Sequence, residues 1–211
     1  MQNWYEKIAR RFSRMAIPDL MKYIVLTMGA VFIIDFVTGY KASSLLLFDW
    51  DAIQQGQIWR LVSFIFIPVN SSPIFIIFSL YFYWMIGVGL EQEWGAARFN
   101  LFYLTGIVGT IIAGIITGYA VNFYLNLTLF LAFAVLFPNF EVRLFFFLPV
   151  KMKWLAWLDA AYLAYLLIIS DWPGRLAIIV SLANFILFFW QSAWTRVLNF
   201  RRQQKWKNYF K

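Results

Sequence analysis

Six stretches of this chain are apolar for about the length a helix needs to cross a lipid bilayer: 23–37, 74–90, 99–119, 121–137, 154–170 and 176–194. The hydrocarbon core is about 30 Å thick and takes roughly 20 residues of helix to cross. Inside it the backbone finds no water, so a spanning segment must satisfy every N–H and C=O internally. The chain therefore reads as an all-α membrane protein, a bundle of six transmembrane helices. Its breaks have their own chemistry. Asp35 interrupts the first run, Asn70-Ser71-Ser72-Pro73 precedes the second, and Gly118 and Asn122 mark a tight join between the third and fourth. Asp171-Trp172-Pro173-Gly174, a strong turn signal, separates the last two. Composition agrees with a membrane solvent. Apolar residues make up 63% and charged residues 13%, against roughly half and a quarter in a soluble domain. Eleven Trp and eleven Tyr suit rings placed at the membrane–water interfaces.

The net charge of +8 is unevenly placed. With the N-terminus inside and six spans, fifteen of the eighteen Lys and Arg fall on inner segments. Only Lys41, Arg60 and Arg175 fall outside. That bias predicts both termini on the cytoplasmic side. The terminal basic clusters are what topology and anionic headgroups demand, so no nucleic-acid partner is expected and the lipid bilayer is the first partner.

Three regions follow. Residues 1–20 carry Trp4, Ile8, Phe12 and Met15 at helical spacing against Lys7, Arg10, Arg11 and Arg14, as in an amphipathic helix lying on the membrane surface. A basic tail without structure is the alternative. The segment lacks the apolar core of a cleavable signal peptide. Residues 21–195 form the six-span domain, and 196–211 a basic cytoplasmic tail. The short loops and tails point to a bacterial plasma membrane. Between the first two spans, 41–73 is long and greasy, with Leu45-Leu46-Leu47-Phe48 and 61–69 bracketing Asp49, Asp51 and Gln54-Gln55-Gly56-Gln57. Such a loop is expected to sit half in the lipid as short helices, which satisfy their own backbone.

Two stretches carry a resemblance. Gly56-Gln57-Ile58-Trp59-Arg60-Leu61-Val62-Ser63-Phe64 precedes the second span. Leu90-Glu91-Gln92-Glu93-Trp94-Gly95-Ala96-Ala97-Arg98-Phe99 leads into Tyr103, Gly106 and Gly109. In this order on six spans they resemble the rhomboid superfamily of intramembrane serine proteases and its inactive relatives, the derlins included. Trp59 and Arg60 look like the family's motif in the first loop. Glu91, Gly95, Arg98, Phe99, Tyr103 and Gly106 look like its pattern between the second and third spans. Phe137-Pro138-Asn139 and Phe145-Phe146-Phe147 are similar to derlin-like members. Physical roles stand beside the resemblance. Gly106, Gly109, Gly114 and Gly118 line one helix and let neighbours approach. Arg60 reads equally as a functional cation or one that packs the loop. Glu91 and Arg98 read as an ion pair or helix-terminus contacts.

Active rhomboids are similar to one another in a Gly-x-Ser-Gly motif opening the fourth span and a His in the sixth. This chain has no His and no Cys. Where the resemblance places the serine, the sequence reads Val121-Asn122-Phe123-Tyr124-Leu125-Asn126-Leu127, and the nearest hydroxyl is Thr128. Ser181 stands at the histidine position and Asn184 at the glycine after it. Serine is no base near neutral pH, and losing general-base assistance costs roughly 10² to 10⁴-fold. A protein that is not an enzyme is expected, with no metal and no cofactor. Asp35 and Asp159 lie within or near spans, where an ionisable residue is a functional hypothesis by default; both read as structural or interfacial, on opposite sides of the membrane, and so form no aspartyl dyad. The former active-site region, Asn122, Asn126, Thr128, Ser181 and Asn184, then offers hydrogen-bonding groups at membrane depth. They either engage a partly unwound transmembrane client, as in membrane-protein quality control, or bond one another between helices. A small transporter or lipid-handling protein on a rhomboid-like scaffold is the alternative, although the chain shows clearly neither the midplane ionisable residues nor the repeat symmetry usual in a coupled transporter. An unconventional intramembrane protease is the third reading.

Overall fold

The computed structural model describes residues 11–69, 72–144 and 148–189. The amphipathic segment up to Arg10, Asn70 and Ser71, the run Phe145-Phe146-Phe147, the end of the sixth span and the basic tail lie outside the described residues. The chain is mostly helical. Helix α1 is Leu20–Thr38, and the long first loop holds α2 (Lys41–Leu46), α3 (Trp50–Gln54), α4 (Arg60–Ser63) and a 3-10 turn, Phe64–Phe66. Then come α5 (Pro73–Trp94), α6 (Ala96–Thr117), α7 (Phe123–Leu136), strands β1 (Glu141–Leu144) and β2 (Leu148–Lys151), α8 (Met152–Ile169) and α9 (Trp172–Phe189). Five of these, α1, α5, α6, α8 and α9, are long and apolar enough to cross a membrane. The protein is a multi-pass integral membrane protein.

The fourth expected span departs from that pattern. Helix α7 has 14 residues, about 21 Å at 1.5 Å per residue, short of the hydrocarbon thickness. It is shielded by protein: eight of its 14 residues are buried. Half of the apolar window of α6 is buried, against 28% or less in α1, α5, α8 and α9. Helices α6 and α7 are thus the interior, and the other long helices are the wall. Enclosed in protein, α7 need not match the lipid.

Two further differences have local causes. Asp171-Trp172-Pro173-Gly174 begins a helix as well as ending one. The Asp171 carboxylate accepts from Gly174 N–H at 3.1 Å, capping an orphan amide of the first turn of α9, and Pro173 sits where its missing N–H costs nothing. The sixth span therefore starts at Trp172. In addition, the all-α expectation misses an antiparallel hairpin in which Glu141 pairs with Lys151 and Leu144 with Leu148. Glu141-Val142-Arg143-Leu144 alternates polar and apolar residues with the period of a strand.

Glycines set the closest helix contacts. A Cβ on Gly87 of α5 would collide with Met21 of α1, and one on Gly89 would lie 2.6 Å from Phe133 of α7. On α6, a Cβ on Gly109 would lie 2.7 Å from Val180 of α9, and one on Gly114 2.7 Å from Phe48 of the first loop. Small residues at membrane helix interfaces allow this approach. The core between these contacts is built from Met21, Met28, Phe64, Leu90, Phe99 and Leu129, all at most 1% exposed.

Candidate functional site

The first loop is held by Trp59 and Arg60. Four consecutive carbonyls at the end of α2 need partners that no continuing helix supplies, and the segment 59–63 supplies all four. Arg60 Nη1 donates to Ser44 O at 2.9 Å and Leu47 O at 2.8 Å. Trp59 Nε1 donates to Leu45 O at 3.1 Å, and Ser63 Oγ to Leu46 O at 2.8 Å. Arg60 Nε also donates to Gln57 Oε1 at 2.6 Å. Arg60 is buried, so of its two readings the structure shows the loop-packing cation, placed at the helix end that favours positive charge.

Asp35 secures the other end of α2. Its carboxylate accepts from Ser43 N–H at 2.9 Å and from Ser43 Oγ, while its own carbonyl accepts from Gly39 and Tyr40. Asp35 is 4% exposed and serves as an external cap on the first turn of α2. Beside it lies a cleft of 450 Å³ lined by Phe32, Phe36, Tyr40, Ser43, Ile67 and Pro68.

The second motif packs the turn between α5 and α6. Glu91 Oε1 accepts from Asp19 N–H at 2.8 Å, tying α5 to the start of α1 as a helix-terminus contact. Gly95 at φ 80 reverses the chain between two helices, a backbone region that favours glycine. Arg98 is exposed and Phe99 is fully buried, stacked on Tyr103. The amide of Asn100, beside this motif, donates to Ile17 O at 3.0 Å.

Asn122, Asn126, Thr128, Ser181 and Asn184, the five residues that the resemblance groups together, are all buried, but they do not act together. Asn122 Nδ2 donates to Ile65 O and Ile67 O, each at 2.9 Å, and so pins the first loop over the start of α7. Thr128 Oγ1 donates within its own helix to Leu125 O. Asn184 Nδ2 donates to Phe102 O at 3.1 Å, and its Oδ1 accepts from Thr105 at 2.8 Å, joining α9 to α6. Gly106 makes room for that amide, since a Cβ there would lie 3.0 Å from it. Ser181 is 3% exposed on the same inward face of α9. No amide bonds another amide in this set.

Asn126 differs from the rest. It is 2% exposed, and its one polar neighbour among the described residues is the Tyr83 side chain of α5, a contact too loose to satisfy either Nδ2 or Oδ1; the hydroxyl of Tyr103, fully buried on α6, has no hydrogen-bond partner among the described residues. The Tyr83 side chain, from α5, interacts with both. Three helices thus bring polar side chains together in the interior, those of Asn126 and Tyr103 left unsatisfied. Sequence reasoning found Asn126 and Tyr103 but missed Tyr83, whose aromatic neighbours Tyr81, Phe82 and Trp84 hide it in a lipid-facing pattern.

The large side chains around the region pack on neighbouring rings. Phe188 meets Phe102 at 4.7 Å between ring centres and Trp94 at 6.2 Å, while Phe123 meets Tyr162 of α8 at 6.4 Å. At the mouth of α7, burial and the neighbouring Tyr124 and Asp171 push the Tyr119 hydroxyl above its ordinary value. Asp159, read from the sequence as interfacial or structural, is the eighth of the 18 residues of α8. It is buried, and neither carboxylate oxygen has a partner among the described residues. Strand β2 occupies 148–151, so α8 starts only at Met152 and the acid falls near its middle. No family model matches the chain, and no curated protein matches it.

Proposed function

We propose that this protein is a non-catalytic, rhomboid-like six-span membrane protein that binds transmembrane segments of other proteins, with both termini in the cytoplasm. Asn126 carries the reading. Its neighbours Asn122, Thr128 and Asn184 spend their hydrogen bonds on the fold, whereas the Asn126 amide, engaged only loosely by Tyr83, and the Tyr103 hydroxyl are left unsatisfied in the interior. A buried polar group without a partner is costly. Such a cost is expected where function needs the group, and the exposed backbone of a partly unwound client helix offers both donors and acceptors. The absence of histidine leaves Thr128 and Ser181 without the usual base, which supports binding over proteolysis.

The test is photocrosslinking from Leu127, one residue from Asn126, in membranes that hold a single-span reporter with an Asn at its midpoint. Capture by the native chain, reduced at least fivefold by Asn126→Leu in a protein that stays monodisperse, is the expected result. Equal capture by both chains, or no capture by either, overturns the reading.

A further inference from the structure

The inner stripe of α8 is Met152, Ala156, Asp159 and Leu163, one helical face spaced by three and four residues. Asp159 is 8% exposed, and both of its oxygens are sealed from solvent without a hydrogen-bond partner among the described residues. The basic groups whose side chains are described on the surrounding elements are committed or displaced. Helix α7, against which the stripe packs, contains no Lys or Arg. Lys153 is exposed, with its ammonium 5.4 Å from the centre of the Trp154 ring, and Lys151 of β2 is exposed. Arg175 of α9 donates to Ile168 O at the far end of α8. Among the described residues, the acid therefore has no counter-charge beside it.

Helix α8 is also lightly held. Only 17% of its apolar window is buried, and Trp157, Leu158 and Ile168 present more than two thirds of their surface outward. In a bilayer, contacts between apolar helices can be exchanged for lipid contacts with little hydrophobic cost. A small displacement of α8 from α7 opens the stripe to a helix in the lipid. The occupant that fits is one with the opposite problem, a cation at membrane depth without a partner, and pairing relieves both.

We propose that Asp159 recognises a Lys or Arg placed near the middle of a client transmembrane helix that enters between α7 and α8. The proposal rests on the client-binding reading and adds the class of client. Asp159 is the charge-selective contact, whereas Asn126 serves any client with free backbone or amide groups.

Three single-span reporters that differ only at the midpoint, Leu, Asn or Lys, separate the two ideas. The chain has no cysteine, so Ala160→Cys beside the acid, with one cysteine next to the reporter midpoint, reads proximity by disulfide capture in native membranes. The expected result is capture of the Lys reporter about tenfold above the Leu reporter, lost in Asp159→Asn and kept in Asp159→Glu, with Asn-reporter capture unchanged throughout. Equal capture of the Lys reporter by the native chain and Asp159→Asn overturns the charge proposal and leaves client binding standing. So does a native chain that does not distinguish the Lys from the Asn reporter, a comparison that needs no Asp159 variant. Failure to capture any of the three overturns both.

Discussion

Arg60 donates to the carbonyl of Leu47 at 2.8 Å, and the same Nη1 reaches Ser44 at 2.9 Å. One planar group thus takes two of the four carbonyls at a helix end, and Trp59 and Ser63 take the other two. A lysine ammonium at this place is a point charge without the guanidinium's fixed fork. Arg60→Ala leaves two part-buried carbonyls without their partner and is expected to cost about 2 kcal/mol. Arg60→Lys is expected to recover less than half. Thermal unfolding in detergent reads the loss, and limited proteolysis locates it in the loop. A native-like lysine variant would contradict the clamp.

Asp35 and Ser43 secure the opposite end of the same short helix. With six residues, α2 is far below the length at which a helix is stable alone, so its caps decide whether it forms. Asp35→Ala removes both bonds to Ser43 and is expected to destabilise by about 2 kcal/mol. Asp35→Asn keeps one acceptor and is expected to lose less. Chemical denaturation of the two variants side by side checks the order.

Gly106 stands where α6, α7 and α9 meet. Gly106→Ala drives a methyl group into Leu125 and to 3.0 Å from the Asn184 amide, an overpacking expected to cost about 2 kcal/mol. Gly118 is a useful contrast, because a Cβ there meets nothing within 4 Å but the backbone sits at φ 80. Gly118→Ala is expected to cost about 1 kcal/mol from conformation alone. Unfolding temperatures in the reverse order would show that the helix junction yields more easily than the turn.

Length and hydropathy made the membrane class and five long helices legible, because the hydrocarbon core imposes one strong rule on every residue of a span. The same rule did not show that α7 is short and largely enclosed by protein, since hydropathy cannot tell lipid from protein as the apolar neighbour. Pro173 and Gly174 look like a turn in isolation, yet the Asp171 cap two residues before the proline makes them a helix start. The hairpin at Glu141 was within reach of a period-two count but too short to stand out between two apolar runs. In the candidate site, the residue types at Asn122, Asn126 and Asn184 were visible. Which of them has bonds left over is a matter of neighbours such as Ile65, Thr105 and Tyr83, brought from distant parts of the chain.

That difference gives Asn126 a signature the other amides lack. Removing a polar group that is bonded leaves its partner stranded, so Asn184→Leu is expected to destabilise by about 1 kcal/mol through the loss of its bonds to Thr105 and Phe102. Removing one held only by a loose contact with Tyr83 strands little. A leucine of similar shape at position 126 exchanges an unsatisfied amide for apolar contact with its buried neighbours, and Asn126→Leu is expected to stabilise the protein by about 1–2 kcal/mol. Tyr103→Phe, which deletes the other unpartnered oxygen, is expected to act in the same direction. Thermal unfolding of the three variants in one detergent supplies the comparison. A destabilised Asn126→Leu would mean that the amide already has a structural partner, and its proposed availability to a client would fail with it.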